Sequence, residues 1–249
     1  MNVLILAAGY ATRLYPLTLN KAKPLLDVAG KPMIAWVVDN LKGVEIGTIY
    51  IVTNSKFAQD FEAWAKGYAA EHPDFRFKII NDGSSTDDDK LGAIGDVNLV
   101  LAREQIGQES LLIIAGDNLF SESLVDFVQQ ARGTEAAVAV YDVGDLEAIK
   151  KYNNMETSAD GMITHFEEKP QKPTNTLTAI ALYYYSPEVL SLFPTYVAAG
   201  NNPDQPGRFI QWLYKRKPVK TIKVGGKWFD VGSKETLDEA NELFVKYRK

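Results

Sequence analysis

The first half of the chain alternates short apolar runs with longer segments of helical period, and that alternation decides the fold class. Asn2 to Ala7, Thr48 to Thr53 and Leu111 to Ala115 are continuous apolar runs, and Arg76 to Ile80 alternates before turning apolar. Short β-branched runs of this kind are strands covered on both faces. Between them, Pro32 opens a segment carrying Met33, Trp36, Val37 and Leu41. Lys56 to Glu71 and Leu91 to Glu104 also keep apolar residues at helical spacing. Strands alternating with helices predict an α/β fold on a mixed, mostly parallel sheet flanked by helices, in a single domain.

The second half has more strands and fewer helices: Ala136 to Tyr141, Met162 to Phe166, Leu177 to Tyr185 and Val219 to Val224. Ser121 is expected to cap a helix with the stripe Leu124, Phe127, Val128 and Ala131, closed by Gly133. Ser186-Pro187 is expected to open another, carrying Val189, Leu190, Leu192 and Phe193 as far as Gly200. Ser233 caps the last helix, whose stripe is Leu237, Ala240, Phe244 and Tyr247.

Composition removes whole classes. The chain has no cysteine, so neither a disulfide framework nor a Cys-ligated metal is open to it. Its 27 Lys+Arg against 32 Asp+Glu give a net charge of −5, the wrong sign for a nucleic-acid surface. The tight basic cluster Lys215-Arg216-Lys217 reads as the charged end of a helix. No apolar run approaches the roughly 18 residues of a membrane span. The N-terminus lacks the charged region of a secretory signal. A cytoplasmic protein with neither membrane nor nucleic acid as partner is expected.

The chemistry begins where the first strand ends. Leu6-Ala7-Ala8-Gly9 presents small residues and free backbone N–H groups, which suit an anion. Neither GxxxxGK[ST] nor GxGxxG is present, so this is neither a P-loop nor a dehydrogenase fingerprint. Arg13 lies just beyond the glycine, and Lys23-Pro24-Leu25-Leu26 adds an ammonium. Two cations beside a backbone nest fit a polyphosphate. Asp117 follows a buried strand at the sheet edge where α/β proteins bind ligands. Asp230 follows Trp228-Phe229. Each carboxylate is costly in such surroundings unless paired or metal-bound, and two of them with substrate phosphates match the needs of Mg²⁺. His72 and His165 have no partner motif and read as structural. The acidic run Asp87-Asp88-Asp89 reads as a solvated loop.

These motifs together resemble the sugar-1-phosphate nucleotidylyltransferases. The likeness is carried, in that family's order, by LAAG with Thr12-Arg13-Leu14 and Pro16-Leu17-Thr18, then by Lys23-Pro24, Gly116-Asp117-Asn118, Glu168-Lys169-Pro170 and Trp228-Phe229-Asp230. It spans Met1 to about Asn241. It implies a Rossmann-like nucleotidyltransferase fold, with 1–120 mainly binding nucleotide, 121–232 mainly binding sugar phosphate, and 233–249 as a C-terminal helix. It further implies that Leu6, Ala7, Ala8, Gly9, Asn81 and Gly92 bind the nucleotide. Arg13, Lys23 and Asp117 would be catalytic, and Asp117 and Asp230 would hold Mg²⁺. Glu168, Lys169, Asn153, Ala181 and Tyr183 would bind the sugar phosphate, with Gly92 giving the base a close approach to the backbone. The chain departs from the family pattern at Ala11 and Ala181, where glycine is usual, at Tyr152-Asn153-Asn154, where a Tyr-Gly-Val turn is usual, and at Asn81, where glutamine is frequent.

The expected reaction takes an NTP, UTP or dTTP first, and a sugar 1-phosphate, glucose 1-phosphate first, to NDP-sugar and diphosphate. The enzyme would act as a monomer or homodimer. Two other readings remain open: a CTP-dependent cytidylyltransferase acting on phosphocholine or a similar alcohol phosphate, and a non-catalytic nucleotide sensor on the same fold.

Overall fold

A computed structural model describes residues 1–248. The strands are β1 (Asn2–Leu6), β2 (Asp27–Val28), β3 (Lys31–Pro32), β4 (Thr48–Thr53), β5 (Arg76–Asn81), β6 (Leu111–Ala115) and β7 (Asn118–Phe120). They continue as β8 (Ala136–Asp142), β9 (Asn153–Thr157), β10 (Ile163–Glu168), β11 (Leu177–Tyr185), β12 (Val219–Lys223) and β13 (Trp228–Asp230). The helices are α1 (Met33–Asp39), α2 (Ala58–Glu71), α3 (Ala93–Glu104), α4 (Val125–Ala131) and α5 (Leu146–Ile149). After them come α6 (Pro187–Leu190), α7 (Phe193–Ala198), α8 (Gly207–Leu213) and α9 (Lys234–Phe244). This is the expected α/β class, a mixed, mostly parallel sheet flanked by helices.

The chain divides into two compact units, each drawn from separate stretches of sequence. The first takes Met1–Leu91, Ile114–Val125 and the chain from Gly225 on; the second takes Gly92–Ile113 and Asp126–Val224. Strand β6 contributes to both. In the first unit the strand order is β6-β1-β4-β5, with β1, β4 and β5 parallel. Val3, Leu4, Ile5, Ile49, Ile51 and Val52 are buried, as continuous apolar strands must be when both faces are covered. In the second unit the order is β12-β8-β11-β6, with β12 parallel and β11 antiparallel to β8.

The first unit's C-terminal helix forms as its sequence dictates. Ser233 Oγ accepts the Thr236 N–H and Thr236 Oγ1 accepts the Ser233 N–H at 2.9 Å, a closed capping box. Leu237, Ala240 and Phe244 bury their stripe against Val28, Trp36, Leu119 and Val231. Phe244 meets Trp36 edge to face at 5.2 Å. Fully burying a Leu or Phe is worth about 1.5–3 kcal/mol. That gain holds β7 and β13 in place, because Leu119 and Val231 lie within or beside them.

Several helix boundaries differ from expectation, among them the start of α2 at Ala58 instead of Lys56. Ser121 does not cap α4: its Oγ accepts the Lys227 N–H at 2.7 Å and its N–H donates to Lys227 O, extending the β7–β13 ladder. Ser123 Oγ accepts the Val125 N–H instead. The helix expected from Ser186 to Gly200 is broken into α6 and α7, because Pro194 cannot donate to a preceding turn. Helix α3 begins at Ala93, two residues later than expected, after Gly92 at φ 77°. Lys215 to Lys217 lie just past the end of α8, as expected. No helix among the described residues is long and apolar enough to cross a membrane.

Candidate active site

The first unit gathers four charged groups. Asp117 follows Gly116, whose N–H donates to Leu6 O at 2.9 Å. A Cβ on Gly116 would press Ile5, Leu6 O and Pro24, each at 3.2 Å. Glycine therefore lets the turn after β6 sit against the end of β1 and the Lys23-Pro24 turn. Strand β13 pairs antiparallel with β7 in the register Asp230↔Asn118, which brings Asp230 beside Asp117 from far along the chain.

Lys23 Nζ donates to Asp117 Oδ2 at 2.7 Å. Burial pushes the Lys23 ammonium down, but attraction to Asp117 and Asp230 outweighs it and holds the group above its ordinary value, against repulsion from Arg13. Burial and then the charge of Asp117 push Asp230 up to about 6, although Lys23 and Arg13 pull the other way. Arg13 is exposed and reaches this cluster as a charge. No group of three or more His, Cys, Asp or Glu residues with metal-binding placement occurs among the described residues. Asp117 and Asp230 are the two carboxylates this cluster could offer a cation.

The loop beside them is held from within. Ala7 and Ala8 are buried and Gly9 is exposed, with open space where its Cβ would be. Leu6 is half-buried and its carbonyl serves Gly116. Ala11 adopts φ 48°, the left-handed region that favours glycine. Its carbonyl accepts the hydroxyl of buried Thr18 at 2.8 Å and the Leu14 N–H at 2.9 Å. Asn81 is exposed at the end of β5, where Oδ1 accepts from Ser55 Oγ and from the Gly83 N–H.

The second unit gathers the residues expected at a sugar phosphate. Strand β10 pairs antiparallel with β9, in the register Glu168↔Asn153. Glu168 Oε2 is buried without a hydrogen-bond partner. Burial pushes the carboxyl up to about 7 against the pull of Lys169 and Arg208. Lys169 is exposed, takes φ 52° and donates its N–H to Tyr152 O at 2.8 Å. Tyr183 is buried on β11, its hydroxyl pushed up by burial and by the charge of Glu168. Ala181 falls where the β11–β8 register shifts, between Ala179 and Tyr183.

Two expected contacts take a different form. Asn153 is buried at the start of β9, not in a turn. Its Nδ2 donates to Ala179 O at 2.9 Å, and its Oδ1 accepts the Ala179 N–H at 2.7 Å and the Thr178 hydroxyl at 3.1 Å. That amide is spent inside the protein as a staple between strands. Gly92 does meet a close backbone, but it is the protein's own. A Cβ there would lie 2.7 Å from Pro203 O and 2.8 Å from Asp204 Cα. The Ala93 and Ile94 N–H groups donate to Asp204 O and Pro203 O, capping α3. Gly116 and Thr18 stand in the quoted motifs without an expected role. Gly116 acts through packing and Thr18 through a tether to Ala11 O, which local pattern does not reveal.

Comparison with known proteins gives the chain a family. The chain belongs to the nucleotidyl transferase family, whose model matches residues 2–246. Its relatives include sugar-1-phosphate nucleotidylyltransferases, the group its motifs resemble. The UTP–glucose-1-phosphate uridylyltransferase AglF of Haloferax volcanii is 26% identical, over 97% of this chain and 96% of its own. The glucose-1-phosphate thymidylyltransferase of Mycobacterium tuberculosis is 29% identical, over 98% of this chain and 82% of its own. The bifunctional protein GlmU of Methanocaldococcus jannaschii is 26% identical, and the chain spans about half its length, 54%. A solved Bacillus anthracis structure, assigned as a glucose-1-phosphate thymidylyltransferase and in complex with a sucrose, superposes with TM-score 0.83 at 25% identity. That match covers 100% of this chain and 97% of the other.

Proposed function

We propose that this protein transfers a nucleotidyl group from UTP or dTTP to a sugar 1-phosphate, glucose 1-phosphate first, releasing NDP-sugar and diphosphate. It acts in the cytoplasm as a monomer or homodimer. The observation that carries the reading is the Lys23–Asp117–Asp230 cluster at the edge of the glycine loop. A sugar phosphate oxygen attacks the α-phosphorus of the NTP. The bond from that phosphorus to the oxygen bridging to the β-phosphorus breaks, and diphosphate departs. The attacking oxygen is already anionic, so no protein nucleophile is needed and the residues position and neutralise. Arg13 and Lys23 balance charge on the departing diphosphate. Lys169 holds the attacking phosphate and Glu168 the sugar hydroxyls, while Leu6 to Gly9 and Asn81 shape the nucleotide's surroundings.

The donor set fits Mg²⁺. Two adjacent carboxylates, one driven towards protonation by burial and by the other's charge, are hard oxygen ligands whose repulsion a divalent cation relieves. Asp117 and Asp230 would hold it, and when bound the ion neutralises charge on the substrate phosphates.

Diphosphate release tests the reading, measured with Mg²⁺ across the common NTPs and dTTP against glucose, galactose, mannose and N-acetylglucosamine 1-phosphates and phosphocholine. Turnover with UTP or dTTP and a sugar phosphate is expected. Turnover confined to CTP and phosphocholine contradicts it in favour of a cytidylyltransferase. NTP binding without any turnover contradicts it in favour of a sensor.

A further inference from the structure

Helix α8 begins at Gly207, whose backbone does not lie in the left-handed region that demands glycine. What excludes a side chain there is Glu168. A Cβ at 207 would fall inside the contact shell of Glu168 Oε2, 3.1 Å from its Cδ and 3.6 Å from Phe166 Cζ. One turn along α8, Gln211 Oε1 accepts the Glu168 N–H at 3.1 Å. Residues four apart share a helix face, so one face of α8 both leaves room for the carboxylate and pins its main chain. Oε2 itself is buried and makes no hydrogen bond among the described residues, so this packing, with the charges of Lys169 and Arg208, sets where it points.

We propose that Gly207 and Gln211 are positioning residues for sugar recognition, setting the Glu168 carboxylate so that the first turns of α8 govern which sugar 1-phosphate is accepted. The inference rests on the sugar-1-phosphate reading above. A methyl group at 207 displaces only the far end of a flexible side chain, so Gly207→Ala folds with the carboxylate moved. Gln211→Leu removes the acceptor of the Glu168 N–H and loosens the same group.

Steady-state kinetics and glutamate side-chain NMR on the full chain test it together. Gly207→Ala is expected to raise KM for glucose 1-phosphate about tenfold or more, the order expected when a hydrogen bond to a charged group is lost. KM for the NTP stays at its wild-type value, and the melting temperature does not fall. Gln211→Leu raises the same KM by less. Gly207→Ala/Glu168→Asp recovers part of the loss, because the shorter acid fits beneath the new methyl. An unchanged sugar KM, an equal rise in NTP KM, or no recovery in the double variant overturns the proposal. The NMR titration of Glu168 needs no turnover. It is expected to fall towards the ordinary carboxylate range in Gly207→Ala, and an unchanged titration also overturns the proposal. A wild-type chain inactive on every sugar phosphate would fault the functional reading, while the titration still judges the positioning.

Discussion

At Asp39 the carboxylate is surrounded by donors: Lys31 Nζ, Lys42 Nζ at 2.6 Å and the Tyr68 hydroxyl at 2.6 Å. Lys31 is itself held 3.8 Å above the Trp36 ring. Burial pushes the acid up, but these hydrogen bonds outweigh it and hold Asp39 at about 2. At Glu168 burial acts in the same direction and outweighs the pull of Lys169 and Arg208. One oxygen has no partner, and the acid stands at about 7. Asp230 resembles Glu168, at about 6. A carboxylate that serves the fold is satisfied by the fold. Asp230 and Glu168, assigned to metal and sugar, are left in a state that a ligand would relieve, the pattern expected of binding sites, whereas Asp117 is paired with Lys23.

The contrast is sharpest where activity and stability separate. Asp230→Asn is expected to lower turnover by about 10²–10³ while urea unfolding of the ligand-free chain at pH 8 shows no loss of stability. A variant that unfolds early would place Asp230 with Asp39. The staple at Asn153 tests whether the sugar region also contains satisfied polar groups. Asn153→Ala strands the Ala179 N–H and carbonyl in a buried place and is expected to cost about 2–3 kcal/mol in denaturant titration.

The two acids carry opposite pH signatures. Asp39 has a depressed value, so its contribution is present above about pH 4 and is lost as pH falls through 2. Asp39→Asn is expected to lose about 1–2 kcal/mol at pH 7, discounted for partial exposure. The difference closes near pH 2 and turnover is preserved. Glu168 has a raised value: between about 4.5 and 7 the folded chain keeps a proton that the unfolded chain releases. Its presence therefore costs stability as pH rises through that window. Glu168→Gln is expected to be more stable than wild type by about 1–2 kcal/mol at pH 8 and equal to it below pH 4.5. Thermal melts across pH 4–8 decide the sign.

Much of this was legible in the sequence, for identifiable reasons. Continuous apolar runs marked β1, β4 and β6, and Ser233 with its acidic first turn marked α9, because strand burial and helix capping are local signals. Arg13, Lys23, Asp117 and Asp230 stood out as charges in small-residue or apolar settings. The non-local pairings were hidden. Ser121 looks like a cap until Lys227 claims its hydroxyl, and Asn153 looks like a turn residue until Ala179 claims its amide. Gly92 was noticed as a place of close approach, yet only the folded chain shows that the approaching backbone is that of Pro203 and Asp204. Gly207 carries no local signal, since its role lies in the side chain it accommodates.

Following the α-phosphorus of the NTP tests the central claim most directly. With an α-thio NTP chiral at phosphorus, Mg²⁺ and glucose 1-phosphate, direct attack by the sugar phosphate predicts an NDP-sugar with inverted configuration and no nucleotide bound to the protein. Retained configuration, or label trapped on the chain, would contradict transfer by positioned charges alone.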